Sequence, residues 1–215
     1  MEPRTAIVLA GGDGTLPRPI TVQPWFVVAA DSGMHIATKL GMHVDLLIGD
    51  LDSISPDDLA AAHRAGVPIE EHPSDKDATD LELALRAAMG SGADRVIIFG
   101  GWGGRFDHLI ANALLLGATE FCDVELEWHS ATAIVRPVIP TRQVQVIGHI
   151  GDLISLIPIA GAALGISTTG LRWPLDDDDL APGSTRGVSN ELADTEASVS
   201  LRSGVLLTIH STVTA

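Results

Sequence analysis

What most limits the fold open to this chain is a change of pattern near residue 130. Before it, short apolar runs alternate with helical stretches. Ala6–Ala10, Phe26–Ala30, Leu46–Ile48 and Val96–Phe99 are built from Val, Ile, Leu, Phe and Ala and read as strands. Met34–Leu40 closes at Gly41 and Pro56–Ala65 at Gly66, each a helical composition with a glycine stop. Ser55 offers an N-cap, and Pro56 suits the first helical position. Thr79 and Glu82 have capping-box spacing, and Leu81, Leu83, Ala84, Leu85, Ala87 and Ala88 carry that helix to Gly90. Phe106–Leu116 reads as a further, buried helix stopped at Gly117. Continuous apolar strands alternating with helices imply a mostly parallel sheet with helices on both faces, an α/β fold.

From Thr132 onward no helical period is evident. Ala133–Val135, Gln143–Ile147, Leu153–Ile157, Ala197–Leu201 and Val205–Ile209 are short β-rich runs punctuated by Pro and Gly. That is the pattern of an all-β sandwich or barrel. The chain therefore divides into an α/β domain, residues 1–131, and a C-terminal β domain, residues 132–215, with the boundary between Ser130 and Pro140.

Charge narrows the partners. The 13 Lys and Arg against 28 Asp and Glu leave a net charge of −15. Such a surface repels phosphate backbones and anionic lipids, so neither nucleic acid nor membrane is expected as a partner. A phosphate-bearing substrate stays possible if a metal ion or local Arg and Lys neutralise it. With Cys122 the only cysteine, an intrachain disulfide and a Cys-rich zinc site are both excluded. The apolar runs are too short for a signal-peptide core or a membrane span, which points to the cytoplasm.

Three of the predicted strands end in residues with chemistry. Phe26–Ala30 runs into Asp31, Leu46–Ile48 into Gly49-Asp50, and Val96–Phe99 into Gly100-Gly101. Open α/β sheets bind ligands beyond the carboxyl ends of their strands, so these residues should meet in one crevice. Asp and Gly also terminate strands without any ligand. In Gly49-Asp50-Leu51-Asp52-Ser53 an extended backbone would point Asp50 and Asp52 to the same side, with no obvious counter-charge nearby. Two hard oxygen ligands suit Mg²⁺ beside substrate phosphates; two solvated loop aspartates would look the same. Asp77 and Asp80, in Asp75-Lys76-Asp77-Ala78-Thr79-Asp80, lie a turn apart at a helix start, where capping alone also explains them. Lys76 is either a phosphate partner or a surface lysine. The segment Gly100-Gly101-Trp102-Gly103-Gly104-Arg105-Phe106-Asp107-His108 joins a strand to a helix. Its glycines permit close approach of a phosphate and Arg105 adds a cationic fork. It is neither a Walker loop nor a GxGxxG fingerprint. His108 reads equally well as a packed side chain.

Taken in order, these segments resemble the thiamine pyrophosphokinase family. The carrying motifs are Ala30-Asp31-Ser32-Gly33, Gly49-Asp50-Leu51-Asp52-Ser53, Asp75–Asp80 and Gly103-Gly104-Arg105-Phe106-Asp107-His108. Downstream, Gly170-Leu171-Arg172-Trp173-Pro174-Leu175 and Ser189-Asn190 resemble the second-domain signature. Ser32 stands where the family has glycine, and Leu51 where it has phenylalanine. A negative φ would let Ser32 make the turn. The resemblance implies transfer of a pyrophosphoryl group from ATP to the thiamine hydroxyl, giving AMP. It implies Asp50, Asp52 and Asp80 as Mg²⁺ ligands, with Asp77 and Arg105 also in the catalytic set and Asp77 or Asp107 as a possible base. Asp31, Lys76, Thr79, Gly103, Gly104, Asp107 and Asn112 would bind near the nucleotide, and Trp173, Ser189 and Asn190 near thiamine. It further implies a homodimer with active sites shared between subunits. A pyrophosphokinase for a hydroxymethylpterin, or a non-catalytic thiamine diphosphate binder, are the alternatives.

Overall fold

The computed structural model describes residues 2–12, 20, 22–130 and 132–211. Two compact units emerge: Met1–Leu115 with Asp123–Ala131, and Leu116–Cys122 with Thr132–Ala215. The second unit therefore takes in a short segment that a single cut near residue 130 assigns to the first.

Among the described residues the first unit has six strands: β1 (Thr5–Ala10), β2 (Phe26–Ala30), β3 (Leu46–Gly49), β4 (Ile69–Glu71), β5 (Arg95–Phe99) and β6 (Glu125–His129). Their order in space is β6-β5-β1-β2-β3-β4, and every pairing among them is parallel. The helices are α1 (Met34–Leu40), α2 (Pro56–Ala65), α3 (Asp80–Gly90) and α4 (Phe106–Leu115). Ile7, Leu9, Val27, Ala29, Leu47, Ile97 and Phe99 share one core with Met34, Ile36 and Ala37 of α1 and Ala62 of α2. The alternate residues Val8, Val28, Ile48 and Ile98 face the other way and are also buried. The α3 helix, which buries Leu81, Ala84, Leu85 and Ala88, packs on β1, β2 and β3 from that side. Helices on both faces are thus present as expected.

Local signals act as the sequence implies. Ser55 Oγ accepts the Asp58 N–H at 3.1 Å, and Thr79 Oγ1 accepts the Glu82 N–H at 3.2 Å. The expectation that α4 is buried does not hold. Phe106, Ile110 and Leu114 are 72%, 46% and 49% exposed, and of the whole helix only Asn112 is buried. Apolar composition identifies the helix, but the described residues of the first unit leave that i, i+4, i+8 stripe exposed.

The second unit contains β7 (Ala133–Val138), β8 (Val144–Ile147), β9 (Leu153–Pro158), β10 (Ala163–Thr169), β11 (Asp178–Leu180), β12 (Asn190–Glu191), β13 (Glu196–Ser200) and β14 (Leu206–Ser211). Strands β12-β9-β14-β7 pair antiparallel, as do β11-β10-β13-β8. One cluster joins Val138, Ile154, Leu156 and Leu206 of the first set to Val144, Val146, Ile166 and Val199 of the second. This is a sandwich, two sheets packed through their inner faces.

Candidate active site

In the first unit the chain runs outward from β1 through β2, β3 and β4, then returns to lay β5 and β6 on the opposite side. The carboxyl ends of β1 and β5 therefore mark a topological switch point, where open α/β sheets leave a crevice. A crevice of about 570 Å³ lies there. It brings together the residues after β1 (Gly11, Gly12), after β2 (Asp31, Ser32), after β3 (Asp50, Asp52, Ser53) and around the α3 N-terminus (Lys76, Thr79, Asp80). Gly101, Gly103, Gly104, Arg105, His108 and Asn112 close the far wall.

Most of the expected residues are in this wall. Asp77 and Asp107 are exposed and do not line it. Asp77 sits two residues before the Thr79 N-cap, outside the helix rather than in its first turn. Gly11 and Gly12 were missed, although a Gly-Gly pair directly after the Ala6–Ala10 run carries the same signal as Gly100-Gly101.

One carboxylate oxygen from each of Asp31, Asp50 and Asp52 lies within 4.8 Å of the others. The extended segment expected for Asp50-Leu51-Asp52 is not what aligns the last two. Leu51 has φ +62°, a left-handed turn, and the Asp52 N–H reaches back to Asp50 Oδ1 at 3.3 Å. Asp31 is held at φ +46°, a conformation rare outside glycine that functional sites often store. Ser32 is not among the positive-φ residues, so its replacement of glycine costs no backbone strain. Gly49 lies between these groups. A Cβ there would stand 3.0 Å from Asp80 Oδ1 and 3.2 Å from Asp31 Cβ, so the close approach of the carboxylates requires glycine.

A counter-charge is present after all. Lys76 Nζ lies 3.3 Å from Asp50 Oδ2 and 3.0 Å from Asp80 Oδ1, all three side chains being largely buried. Burial pushes the Lys76 pKa down, but Asp80 and Asp50 outweigh it and hold the ammonium charged. Burial likewise pushes Asp50 up, and the Asp52 backbone N–H, Lys76 and Ser74 outweigh it, so its carboxyl stays below the usual range. Asp31 goes the other way. Burial, with some repulsion from Asp80 and Asp52, raises its pKa despite hydrogen bonds from Ser32 and Ser53. Its Oδ1 is buried and accepts no hydrogen bond from the described residues. Three hard oxygen donors close together, one of them orphaned, fit a divalent cation such as Mg²⁺. Asp80 is engaged with Lys76 and stands outside that triad.

At the opposite wall, Arg105 Nη2 donates to Asp107 Oδ2 at 2.6 Å, and both side chains are well exposed. That bond holds the Asp107 pKa down to about 2, which makes its carboxylate a weak base.

In the second unit Trp173 is 52% exposed, so it is not a core residue. Asn190 fixes it through the main chain. Its Oδ1 accepts the Trp173 N–H at 3.1 Å and its Nδ2 donates to the Trp173 carbonyl at 2.6 Å. The Arg172 guanidinium lies 4.8 Å from the indole centroid. Ser189 has φ +60°, and its N–H donates to Ser155 Oγ.

A parallel sheet whose switch point gathers carboxylates, a lysine, an arginine and a glycine turn defines a class: α/β proteins with a crevice suited to a polyphosphate and a carboxylate set that fits a divalent cation. Two family models make the assignment specific, one for the thiamin pyrophosphokinase catalytic domain over residues 20–126, the other for its vitamin B1 binding domain over residues 139–206. The chain belongs to the thiamin pyrophosphokinase family. It is 27% identical over 212 residues to the thiamine pyrophosphokinase of Bacillus subtilis, covering 97% of this chain and 99% of the relative. The crystal structure of thiamine pyrophosphokinase from that organism superposes with a TM-score of 0.86, covering 98% of this chain and all of the other. Yeast thiamin pyrophosphokinase, at 16% identity and a TM-score of 0.75, shares the fold.

Proposed function

We propose that the chain catalyses the reaction for which its family is named, moving a pyrophosphoryl group from ATP to the hydroxyl of thiamine. The observation that carries this reading is the convergence of Asp31, Asp50 and Asp52 with Lys76 and the glycine turn around one crevice. In this reading the thiamine oxygen attacks the β-phosphorus in line, the bond from that phosphorus to the α–β bridging oxygen breaks, and AMP leaves. Asp31, Asp50 and Asp52 would hold Mg²⁺. The ion, when bound, supplies neutralisation of the phosphate charge. Asp80 and Asp50 keep Lys76 charged and aimed into the crevice, where it meets the polyphosphate. Arg105 leaves Asp107 to steady a phosphate oxygen. Phosphoryl transfer depends chiefly on such positioning and neutralisation, so no covalent nucleophile is required. The thiamine proton passes to Asp77 or Asp107, the two exposed carboxylates expected to serve as base. Trp173 stacks on the thiamine ring system, and its exposure together with the Asn190 clamp supports that role. The enzyme works in the cytoplasm.

Purified protein with ATP, Mg²⁺ and thiamine should yield AMP and thiamine diphosphate in equal amounts by chromatography. ADP accumulating in step with a thiamine monophosphate would overturn the pyrophosphoryl assignment, and no thiamine product at all would favour a non-catalytic binder.

The reading includes a homodimer with shared active sites, supported by the uncovered Phe106, Ile110 and Leu114 stripe of α4. Trp173→Ala should weaken thiamine binding about five- to thirtyfold, the value of a desolvated stacking and cation–π contact. Mixed with Asp52→Asn subunits, it should regain activity, because a heterodimer would place both lesions in the same one of its two sites. Sedimentation as a monomer, or a mixture still inactive after subunit exchange, rules the shared site out.

A further inference from the structure

Beneath the crevice, the turn that follows β5 is tied to the protein at three points. Gly100 and Gly101 both have positive φ, +83° and +72°. Gly100 has no room for a side chain, since a Cβ would fall 1.9 Å from the Ala10 carbonyl oxygen. The Gly101 N–H donates to the Gly11 carbonyl at 2.7 Å, tying the turn to the end of β1. The Gly100 carbonyl accepts from Trp128 Nε1 at 2.7 Å, and the Gly101 carbonyl accepts from Asn112 Nδ2 at 2.8 Å. Both donors converge on the same glycine: a Cβ at Gly101 would stand 3.3 Å from Asn112 Nδ2 and 3.7 Å from Trp128 Nε1.

Carbonyl oxygens are the negative ends of the backbone dipole, and a wall meant for a polyphosphate must keep them occupied elsewhere. Two consecutive carbonyls here are spent on side-chain donors, one from β6 and one from α4. Trp128 is buried, so its indole N–H has no water to turn to, and removing it leaves the Gly100 carbonyl without that partner. Left-handed glycines are otherwise the softest backbone in the wall, because each can cross to negative φ at little cost.

We infer that Trp128 is a positioning residue for the nucleotide: its indole N–H, acting with the Asn112 amide, locks the Gly100-Gly101 turn in the conformation that admits a polyphosphate. It touches no substrate and acts through the turn. The inference rests on the function proposed above, and its test separates the two.

Trp128→Phe keeps an aromatic ring in the core and deletes the N–H. Binding of Mg²⁺ with α,β-methylene-ATP, followed by calorimetry, should weaken about tenfold, with a matching rise in KM for ATP and no change in KM for thiamine. Leu126→Ala, a buried change on the same strand, should lower the melting temperature at least as much and leave nucleotide affinity alone. If Trp128→Phe does not fold, replacing Trp128 alone by benzothienylalanine puts sulfur in place of the N–H at nearly the same shape. Combined with Asn112→Leu, the loss should be less than the product of the two separate losses, since both act on one turn. Wild-type affinity in the N–H-deleted protein, or an equal affinity loss in Leu126→Ala, overturns the inference while the proposed function stands. Failure of the wild-type protein to bind the analogue overturns the proposed function and this inference together.

Discussion

The two walls of the crevice are built on opposite plans. On one side Asp31, Asp50, Asp80 and Lys76 are largely withdrawn from solvent, and Asp50 and Asp80 are locked to the lysine. On the other the backbone is fixed at Gly100-Gly101, while Arg105, the one Arg or Lys among the described residues of that wall, lies in solvent paired with Asp107. The acidic wall is prepared before substrate arrives, whereas the arginine must exchange a partner to take part. Electrostatic groups that are held in place beforehand need no reorganisation during the reaction, so the two walls should differ in how much each side chain is worth.

The sharpest way to break this contrast is to neutralise the acidic wall. Asp50→Asn or Asp52→Asn should lower turnover on the order of 10²–10³-fold with the fold intact by circular dichroism. Near-normal turnover in both would make them ordinary loop residues. Asp31→Asn should lose activity similarly yet gain stability. Burial raises the folded-state pKa of Asp31, so its contribution to stability is present at low pH and lost as pH rises through that raised value. At neutral pH the ionised carboxylate is a cost, and in EDTA the variant should melt about 2 °C higher. A lower melting temperature would show that the carboxylate holds the turn together.

The arginine wall should respond less. Arg105→Ala should reduce kcat/KM for ATP roughly tenfold, with stability unaffected because the ion pair is exposed. Smallest of all, Asp107→Asn should release Arg105 and tighten ATP binding by about twofold. A loss of activity larger than that of Arg105→Ala would instead make Asp107 a participant.

Much of the acidic wall was legible because strand ends are legible: β-rich runs followed by Asp31 and by Gly49-Asp50 place those carboxylates on one edge whatever the details. Its chemistry was not. The Lys76–Asp50 pair spans 26 residues and leaves no periodic trace, and the left-handed Leu51 that turns Asp52 toward Asp50 has no turn residue to announce it. Strand β6 was missed because Glu125 and Glu127 look like surface residues. In the fold Glu127 is buried and paired with Arg95 and His129. Strands β4, β11 and β12 are only three, three and two residues long, too short to show a period. The exposed face of α4 escaped for a different reason: apolar periodicity says that a face wants cover, not whether the same chain supplies it.

The membership of Leu116–Cys122 in the second unit has a practical consequence. The polypeptide changes unit at 115/116, at 122/123 and again at 131/132. Scissors applied at residue 131 would leave an amino-terminal fragment carrying Leu116 and Phe121, both nearly inaccessible in the intact chain, without the strands they belong to. The complementary fragment would lack the same two side chains. Neither half is a cassette that can be lifted out and grafted onto another protein by one splice, and a functional exchange of the second unit has to bring residues 116–122 with it.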